Sequence, residues 1–228
     1  KVKSIGRPGD PVVTYVLIGI NVAIHLGTVL SGASATSGSL GGSSLLNEGT
    51  VSRFAVDDGE YWRILTSGFL HLTFFHLLFN MFALYILGGL LEPTVGRLRF
   101  ILIYFVSLLA GSFGALLLTS GSTAGASGAV FGMMGAAMVV MRRRGINPLE
   151  SGLGIWMGLN LLITFTIPGI SIGGHLGGLA GGVLVAVLLY ELPDRVRMPA
   201  IAPMLLAGAV GLAAVIGSIA VAASASPV

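Results

Sequence analysis

Long apolar stretches recur along this chain of 228 residues and constrain its fold more than any other feature. About 20 mostly apolar residues are enough for a helix to cross the hydrocarbon core of a bilayer. Seven stretches approach this length, at 11–31, 70–91, 98–119, 126–141, 151–167, 171–190 and 200–222. Only 9% of the residues are charged and 54% are hydrophobic, whereas soluble domains have roughly 25% charged residues. The pattern predicts an all-α, polytopic membrane protein without a soluble domain.

Basic residues at the ends of these stretches predict their direction. If the N-terminus is cytoplasmic, 10 of the 12 Lys and Arg residues fall in inner segments. Cytoplasmic segments carry the excess of basic residues, so we expect residues 1–10 to be cytoplasmic and 32–69 to form an external loop. The second, fourth and sixth spans then begin at the outer face. No convincing cleavage site follows the first stretch, which is therefore expected to be a retained span.

The connections between the spans are predicted from turn residues. We expect turns at Glu92-Pro93 with Gly96, at Arg144-Gly145 with Asn147-Pro148, at Pro168-Gly169 and at Pro193-Asp194. The first part of the external segment, Ser31 to Gly49, is rich in Gly and Ser and is expected to be irregular. Its second part has amphipathic character and predicts an interfacial element.

A serine and a histidine each stand beside glycines at the outer start of a predicted span. Ser127 lies in Gly-Ala-Ser-Gly, and His175 follows two glycines. Under the expected topology they lie at a similar depth, where a histidine can take the proton of a serine nucleophile. Each residue also has a structural alternative, since serine packs at helix crossings and a buried histidine can serve only as a hydrogen-bonding group. No Asp or Glu is placed to orient His175, so the pattern favours a Ser-His dyad.

His76 and Asn80 are four residues apart in the second span and share one helix face. Each can donate a hydrogen bond to the oxyanion that forms when Ser127 attacks a carbonyl group. The alternative is a structural hydrogen bond between helices. Asn21 and His25 form a similar pair in the first span, for which a structural bond to the external segment is favoured over an accessory catalytic role.

Several classes of protein are disfavoured by what the sequence lacks. There are no cysteines, which excludes a cysteine protease. A metal site built from His71, His76 and His175 has no carboxylate to complete it near the outer face, so we expect neither a metal nor a cofactor. The basic residues form no single stripe, so nucleic acid is not an expected partner. A channel or transporter is disfavoured by the missing buried carboxylates.

Two glycine pairs predict a close helix crossing. Gly128 and Gly132 are four residues apart in the fourth span, and Gly178 and Gly182 are four apart in the sixth. Each pair gives its helix a groove without side chains. If the grooves face each other, the backbones approach closely enough to bring Ser127 near the histidine of the sixth span.

Four motifs occur in an order that resembles the rhomboid intramembrane serine proteases. They are Trp62-Arg63, the His76/Asn80 pair, the Gly-Ala-Ser-Gly segment at Ser127, and His175 followed by Gly178 and Gly182. The resemblance covers roughly residues 11–190 and implies a six-helix core. The seventh span, within 191–228, resembles the extra C-terminal helix of the six-plus-one subgroup. All of 1–228 is then one membrane domain.

The resemblance implies a role for each matching residue. Ser127 would be the nucleophile and His175 the general base. His76, Asn80 and the Ser127 backbone amide would form the oxyanion hole. Structural roles would fall to residues outside the chemistry, namely Trp62, Arg63 of the external loop, Glu92 at the inner end of the second span, Gly128, Gly132, Gly178 and Gly182.

Two positions depart from the family pattern. Phe131 stands where many members have a tyrosine that stacks on the catalytic histidine, and it keeps the ring without the hydroxyl. Gly174 stands where alanine is common. Both departures leave the predicted dyad intact.

The sequence as a whole predicts an intramembrane serine endopeptidase that cleaves transmembrane proteins in or near the outer part of the bilayer. Its expected partners are transmembrane substrates and membrane lipid. Its Ala- and Gly-rich, lysine-poor composition suggests a bacterial inner membrane. The rival hypothesis is a catalytically inactive relative that binds membrane clients, but such relatives typically lack the nucleophile or the base.

Overall fold

The computed structural model describes residues 9–34 and 43–224, and within these ranges the chain is helical and forms no strand. The helices follow one another as α1 (Val12–Leu30), α2 (Ser44–Gly49), α3 (Arg53–Asp57), α4 (Arg63–Thr66), α5 (Phe74–Val95), α6 (Arg97–Leu118), α7 (Ser127–Arg143), α8 (Gly152–Thr166), α9 (Ile172–Ala186), α10 (Leu192–Arg195) and α11 (Ala202–Ala223). A 3₁₀ turn, Ser67–Phe69, follows α4, and a π-helical segment, Val187–Glu191, joins α9 to α10.

The predicted all-α membrane architecture is confirmed. Among the described residues, five helical segments are long and apolar enough to cross a membrane: α1, α5, α6, the continuous segment Ile172–Arg195, and α11. Helices α7 and α8 are shorter, with 17 and 15 residues. Each long helix coincides with a predicted apolar stretch to within five residues at either end. The largest difference is at Arg195, because the helical segment continues through the turn predicted at Pro193-Asp194, which is therefore wrong.

The turn predicted at Glu92-Pro93 with Gly96 is confirmed only at Gly96, because α5 continues through Glu92 and Pro93 to Val95. The cause is a tertiary contact. The Glu92 carboxylate is buried and accepts hydrogen bonds from the backbone N–H groups of Val13 and Thr14, at 2.9 and 2.8 Å, and from the Thr14 hydroxyl at 2.8 Å. A carboxylate is favourable at a helix N-terminus, where N–H groups lack intrahelical partners. Glu92 therefore fastens the end of α5 to the start of α1.

The external segment is more ordered than its composition predicts. Residues 35–42 lie outside the described residues, but Ser44–Gly49 forms α2, so the expectation of an irregular Ser31–Gly49 is wrong for that part. Buried Arg63 ties the segment together by donating to the Glu60 carboxylate and to the backbone carbonyls of Asn47 and Thr50. Charge-assisted hydrogen bonds of this kind are strong, and they fix α2 against the start of α4.

Helices α6, α7 and α9 form the centre of the molecule and meet through glycines. A Cβ atom on Gly114 would lie 3.0 Å from the Cα of Gly177, and one on Gly111 would lie 3.0 Å from the Cα of Gly128. Helix α11 packs outside this centre, with Gly217 against the ring of Phe113 on α6. Helix α8 is peripheral, with only Met157 and Thr164 buried along its length.

Candidate active site

Ser127 is the first residue of α7 and is half-buried. The first backbone hydrogen bond of this helix runs from Val130 N to Ala126 O, at 3.0 Å. The N–H groups of Ser127, Gly128 and Ala129 therefore have no acceptor within the helix. Unpaired N–H groups and the positive end of the helix dipole favour negative charge. The hydroxyl thus lies beside a set of hydrogen-bond donors suited to an oxyanion.

The chain before Ser127 is anchored to the external segment by backbone hydrogen bonds. Thr123 and Val51 exchange a pair of N–H···O bonds, at 2.8 and 3.0 Å, as an isolated antiparallel bridge. Two residues further on, Gly125 N donates to Ser67 O at 2.9 Å. The external segment therefore fixes the position of the serine, which explains why a loop far away in sequence belongs to the site.

His71, which precedes α5, completes this anchoring. Its ring is fully buried, and its Nε2 accepts a hydrogen bond from Ala126 N at 3.4 Å. Burial lowers the pKa of His71 to about 3, with further lowering from the neighbouring His76 and His25. The ring is accordingly neutral at physiological pH and able to accept that bond. It thus positions the residue immediately before Ser127.

The pair in the first span has a structural role that was predicted only in part. His25 Nδ1 lies 3.2 Å from the backbone carbonyl of His71. Because His71 lies beyond 32–69, the expectation of a bond to that segment is wrong in its partner, although the contact still joins α1 to the chain just before α5. Asn21 instead donates to Leu17 O within α1, at 2.8 Å, and the expectation of a loop contact is wrong for this residue. The carbonyl oxygen of Leu17 has a second lone pair besides the one used within the helix ladder, so an amide four residues later can donate to it without leaving its own helix.

The ring of His76 lies against the segment that carries the serine. Gly125 has φ +128°, which favours glycine, and a Cβ at this position would lie 2.6 Å from both Cε1 and Nε2 of His76. The same point is 3.8 Å from Ser127 Oγ. The absence of a side chain at Gly125 therefore lets the imidazole of His76 and the serine hydroxyl face one small space.

Asn80 lies one turn below His76 on α5 and is buried. One of its amide hydrogens is donated to the backbone carbonyl of His76, at 2.9 Å. The second amide hydrogen remains for another acceptor. The expected i and i+4 relation therefore places the two residues one above the other on one face of α5.

His175 lies on the first turn of α9, which is capped by the hydroxyl of Ser171. Its imidazole is buried and stacks on the ring of Phe131, with centroids 4.1 Å apart and planes inclined by 19°. Its Nδ1 lies 2.7 Å from the hydroxyl oxygen of Thr164 on α8. Because Phe131 is one turn after Ser127 on α7, the stacking brings the imidazole to the same end of that helix as the serine.

The two glycine pairs of α7 and α9 face each other. A side chain on Gly178 would overlap the backbone of Gly128, and one on Gly182 would overlap the backbone of Gly132. A Cβ on Gly128 would also lie 3.3 Å from the carbonyl oxygen of Gly174. The residue after the serine therefore touches the residue before the histidine, and this contact sets the relative position of the two helices.

Ser127 and His175, the expected nucleophile and base, lie at the same end of α7. Among the described residues no hydrogen bond joins Ser127 Oγ to the imidazole of His175, whose polar contact is with Thr164. Such bonds are often long before substrate binds and shorten in the reactive complex. Also within the described part of the chain, no three His, Asp or Glu side chains are grouped so that they could hold a metal ion.

Two residues of this site, Thr164 and His71, were not predicted in these roles. Thr164 contacts His175 across the α8–α9 hairpin. It lies five residues before Gly169, and His175 lies six residues after it. Residues at nearly equal distances from a tight helical turn tend to meet, so this spacing is the signal that could have identified Thr164. His71 was considered only as a metal ligand, and its contact with Ala126 has no local signature in the sequence.

Comparison with known proteins identifies the family of this chain. Residues 58–192 match the model of the rhomboid domain. The chain is similar to rhomboid protease GluP of Bacillus subtilis, with 31% identity over 82% of this chain and 36% of that protein. It is similar to the putative rhomboid protease YdcA of the same bacterium, with 34% identity over 64% of this chain and 76% of the relative. It is also similar to the inactive RHOMBOID-like protein 8 of Arabidopsis thaliana, with 35% identity over 69% of this chain and 46% of the relative.

The chain therefore belongs to the rhomboid family. It spans about a third of the length of GluP and about half that of the Arabidopsis relative. Since relatives named as proteases and a relative named as inactive are both similar to it, family membership alone does not assign the activity. An assignment of activity therefore depends on the residues of the site.

Proposed function

We propose that the protein is an intramembrane serine endopeptidase that acts through Ser127 and His175. The observation that carries the proposal is the stacking of the His175 imidazole on Phe131, one turn after Ser127, in a chain of the rhomboid family. Ser127 Oγ attacks the scissile carbonyl carbon while His175 accepts the hydroxyl proton. His175 then returns that proton to the leaving amine, and water hydrolyses the acyl-enzyme ester.

The developing oxyanion is proposed to be stabilised from two sides. The unpaired N–H groups at the start of α7 lie beside Ser127, and the His76 ring reaches the same space through the gap at Gly125. Asn80 supports His76 from one turn below and can donate its second amide hydrogen. Loss of one oxyanion donor typically costs about 10²–10³ in rate. His76→Ala is therefore expected to slow turnover by that factor, and an unchanged rate would make His76 structural.

The decisive experiment uses the purified protein, a model transmembrane substrate and a serine-reactive fluorophosphonate probe. The parent is expected to cleave the substrate and to be labelled at Ser127. Ser127→Ala and His175→Ala should each remove nearly all cleavage, and the double variant should be no worse, because the residues act as a unit. An inactive client-binding relative would instead bind the substrate without cleavage or labelling, and that result would refute the proposal.

The proposed substrates are transmembrane proteins cut near the outer face of a bacterial inner membrane. This orientation rests on the basic residues of the inner segments. The chain has no cysteines, so single cysteines report its topology. Asp58 and Ile146 are exposed positions on opposite sides of the proposed membrane. Asp58→Cys should react with an impermeant thiol reagent from outside and Ile146→Cys only from the cytoplasm, whereas the reverse pattern would place the site on the inner face.

A further inference from the structure

The hydroxyl of Thr164 lies between two groups that compete for its single proton. Its oxygen is 2.7 Å from the backbone carbonyl oxygen of Asn160 and 2.7 Å from Nδ1 of His175. The residue is only 1% exposed. A buried polar group that loses a partner has no water to replace it. Both contacts must therefore be satisfied within the protein.

The number of protons available for the two hydrogen bonds of Thr164 permits only one assignment of donors and acceptors. A carbonyl oxygen can only accept, so the Thr164 proton is needed for the bond to Asn160. The hydroxyl oxygen then has only lone pairs to offer, and His175 must be the donor through Nδ1–H. In the other tautomer Nδ1 is an acceptor, and the hydroxyl could satisfy Asn160 or His175 but not both. Only the Nδ1–H tautomer permits the two bonds at once.

We propose that Thr164 is a positioning residue that holds His175 in the Nδ1–H tautomer and leaves Nε2 unprotonated for the proton of Ser127. The inference rests on the proposed function of the site. Thr164 would do with a neutral hydroxyl what a carboxylate does in a serine protease triad, which is to fix the tautomer and the direction of the imidazole. The stacking on Phe131 fixes the plane of the ring, and the bond to Thr164 fixes its rotation within that plane.

Thr166 provides a matched control on the same helix. Its hydroxyl donates to the carbonyl of Leu162 at 2.7 Å, as the hydroxyl of Thr164 does to Asn160. Thr166 is exposed. Replacement of either threonine by valine preserves shape and removes a hydroxyl that bonds within the helix. Only the substitution at Thr164 removes a partner of His175.

The direct test is the tautomer of His175 by ¹⁵N NMR of the full chain labelled at histidine, with His175→Ala used to assign its signals. In the parent, His175 is expected to carry its proton on Nδ1. In Thr164→Val the signals should move towards a mixture of both tautomers, whereas Thr164→Ser and Thr166→Val should keep the parental pattern. A parent protonated on Nε2 would overturn the proposal without any variant being needed.

Cleavage kinetics test the consequence for catalysis. Loss of one hydrogen bond to the base should lower kcat about tenfold in Thr164→Val. KM should be unchanged, since Thr164 is proposed to act through His175 and not on the substrate. Thr164→Ser should restore kcat to within about twofold of the parent, and Thr166→Val should match it. A Thr164→Val protein that melts like the parent and keeps parental kcat would refute the positioning role.

The two readouts separate this inference from the proposed function. If the parent neither cleaves nor reacts with the serine probe while Thr164→Val still shifts the His175 tautomer, the protease proposal fails and the pairing of Thr164 with His175 stands. If the parent cleaves and Thr164→Val changes neither the tautomer nor kcat, the protease proposal stands and the positioning role fails.

Discussion

Helices α7 and α8 both contribute to the site but are held in the molecule in different ways. Helix α7 lies in the centre, with most of its residues buried and its glycines against the backbones of α6 and α9. Helix α8 buries only Met157 and Thr164 and exposes large apolar side chains such as Leu159 and Leu162. The proposed nucleophile, Ser127, thus lies on a helix fixed by backbone contacts, while the proposed base, His175, contacts a hydroxyl group of a loosely packed helix.

The physical origin of the difference is the absence of a hydrophobic driving force between helices in lipid. Lipid chains are as apolar as the side chains, so helices associate through close packing and hydrogen bonds. Glycines allow α7 and α9 to approach until their backbones touch. Helix α8 has few such contacts, and the hydrogen bond from His175 to Thr164 is its link to the site. Three experiments test whether α7 is packed more tightly than α8.

The largest effect is expected from a matched pair of glycine substitutions. A valine at Gly178 would overlap the backbone of Gly128, whereas a Cβ at Gly158 on α8 meets nothing within 4 Å. Backbone cannot move aside as a flexible side chain can. Gly178→Val should therefore lose both thermal stability and cleavage, and Gly158→Val should keep both. Equal melting temperatures for the two variants would show that the crossing of α7 and α9 is not tight.

A smaller difference is expected between two methionines. Met133 on α7 is fully buried, and Met157 is the buried methionine of α8. Truncation of a buried methionine leaves a cavity and costs about 2–5 kcal/mol when the surroundings cannot collapse. Met133→Ala should lower the free energy of unfolding by about 3 kcal/mol. Met157→Ala should lower it by only about 1 kcal/mol, because lipid and mobile side chains can fill the space beside α8. Unfolding measured in detergent micelles would compare them, and the opposite ranking would contradict the contrast.

The smallest effect is expected in the local opening of the two helices. A segment with few buried contacts opens at a lower free energy than the core. Met157→Cys should thus react with a membrane-permeant maleimide about tenfold faster than Met133→Cys under native conditions. The chain contains no other cysteine to react. Equal rates at the two positions would mean that α7 and α8 open together as one unit.

The long helices and the candidate residues of the site could be predicted from the sequence. An apolar stretch long enough to span a bilayer must satisfy its backbone hydrogen bonds internally, so it becomes a helix whatever its neighbours are. For this reason the long helices lie within a few residues of the predicted stretches. The serine, the two histidines and the glycine pairs were recognisable because their spacing places them on one helix face or at one end of a span.

Which helices form the centre, and which residues surround His175, could be learned only from the tertiary structure. Glycines occur in every long helix of the described chain, and nothing local says that those of α6 and α9 meet those of α7. The end of α5 was misplaced because Glu92 is held by α1, and Thr164 was overlooked because its partner lies on the next helix. Hydrogen bonds and backbone contacts between helices depend on their relative positions, and those positions are set by the packing of the whole bundle.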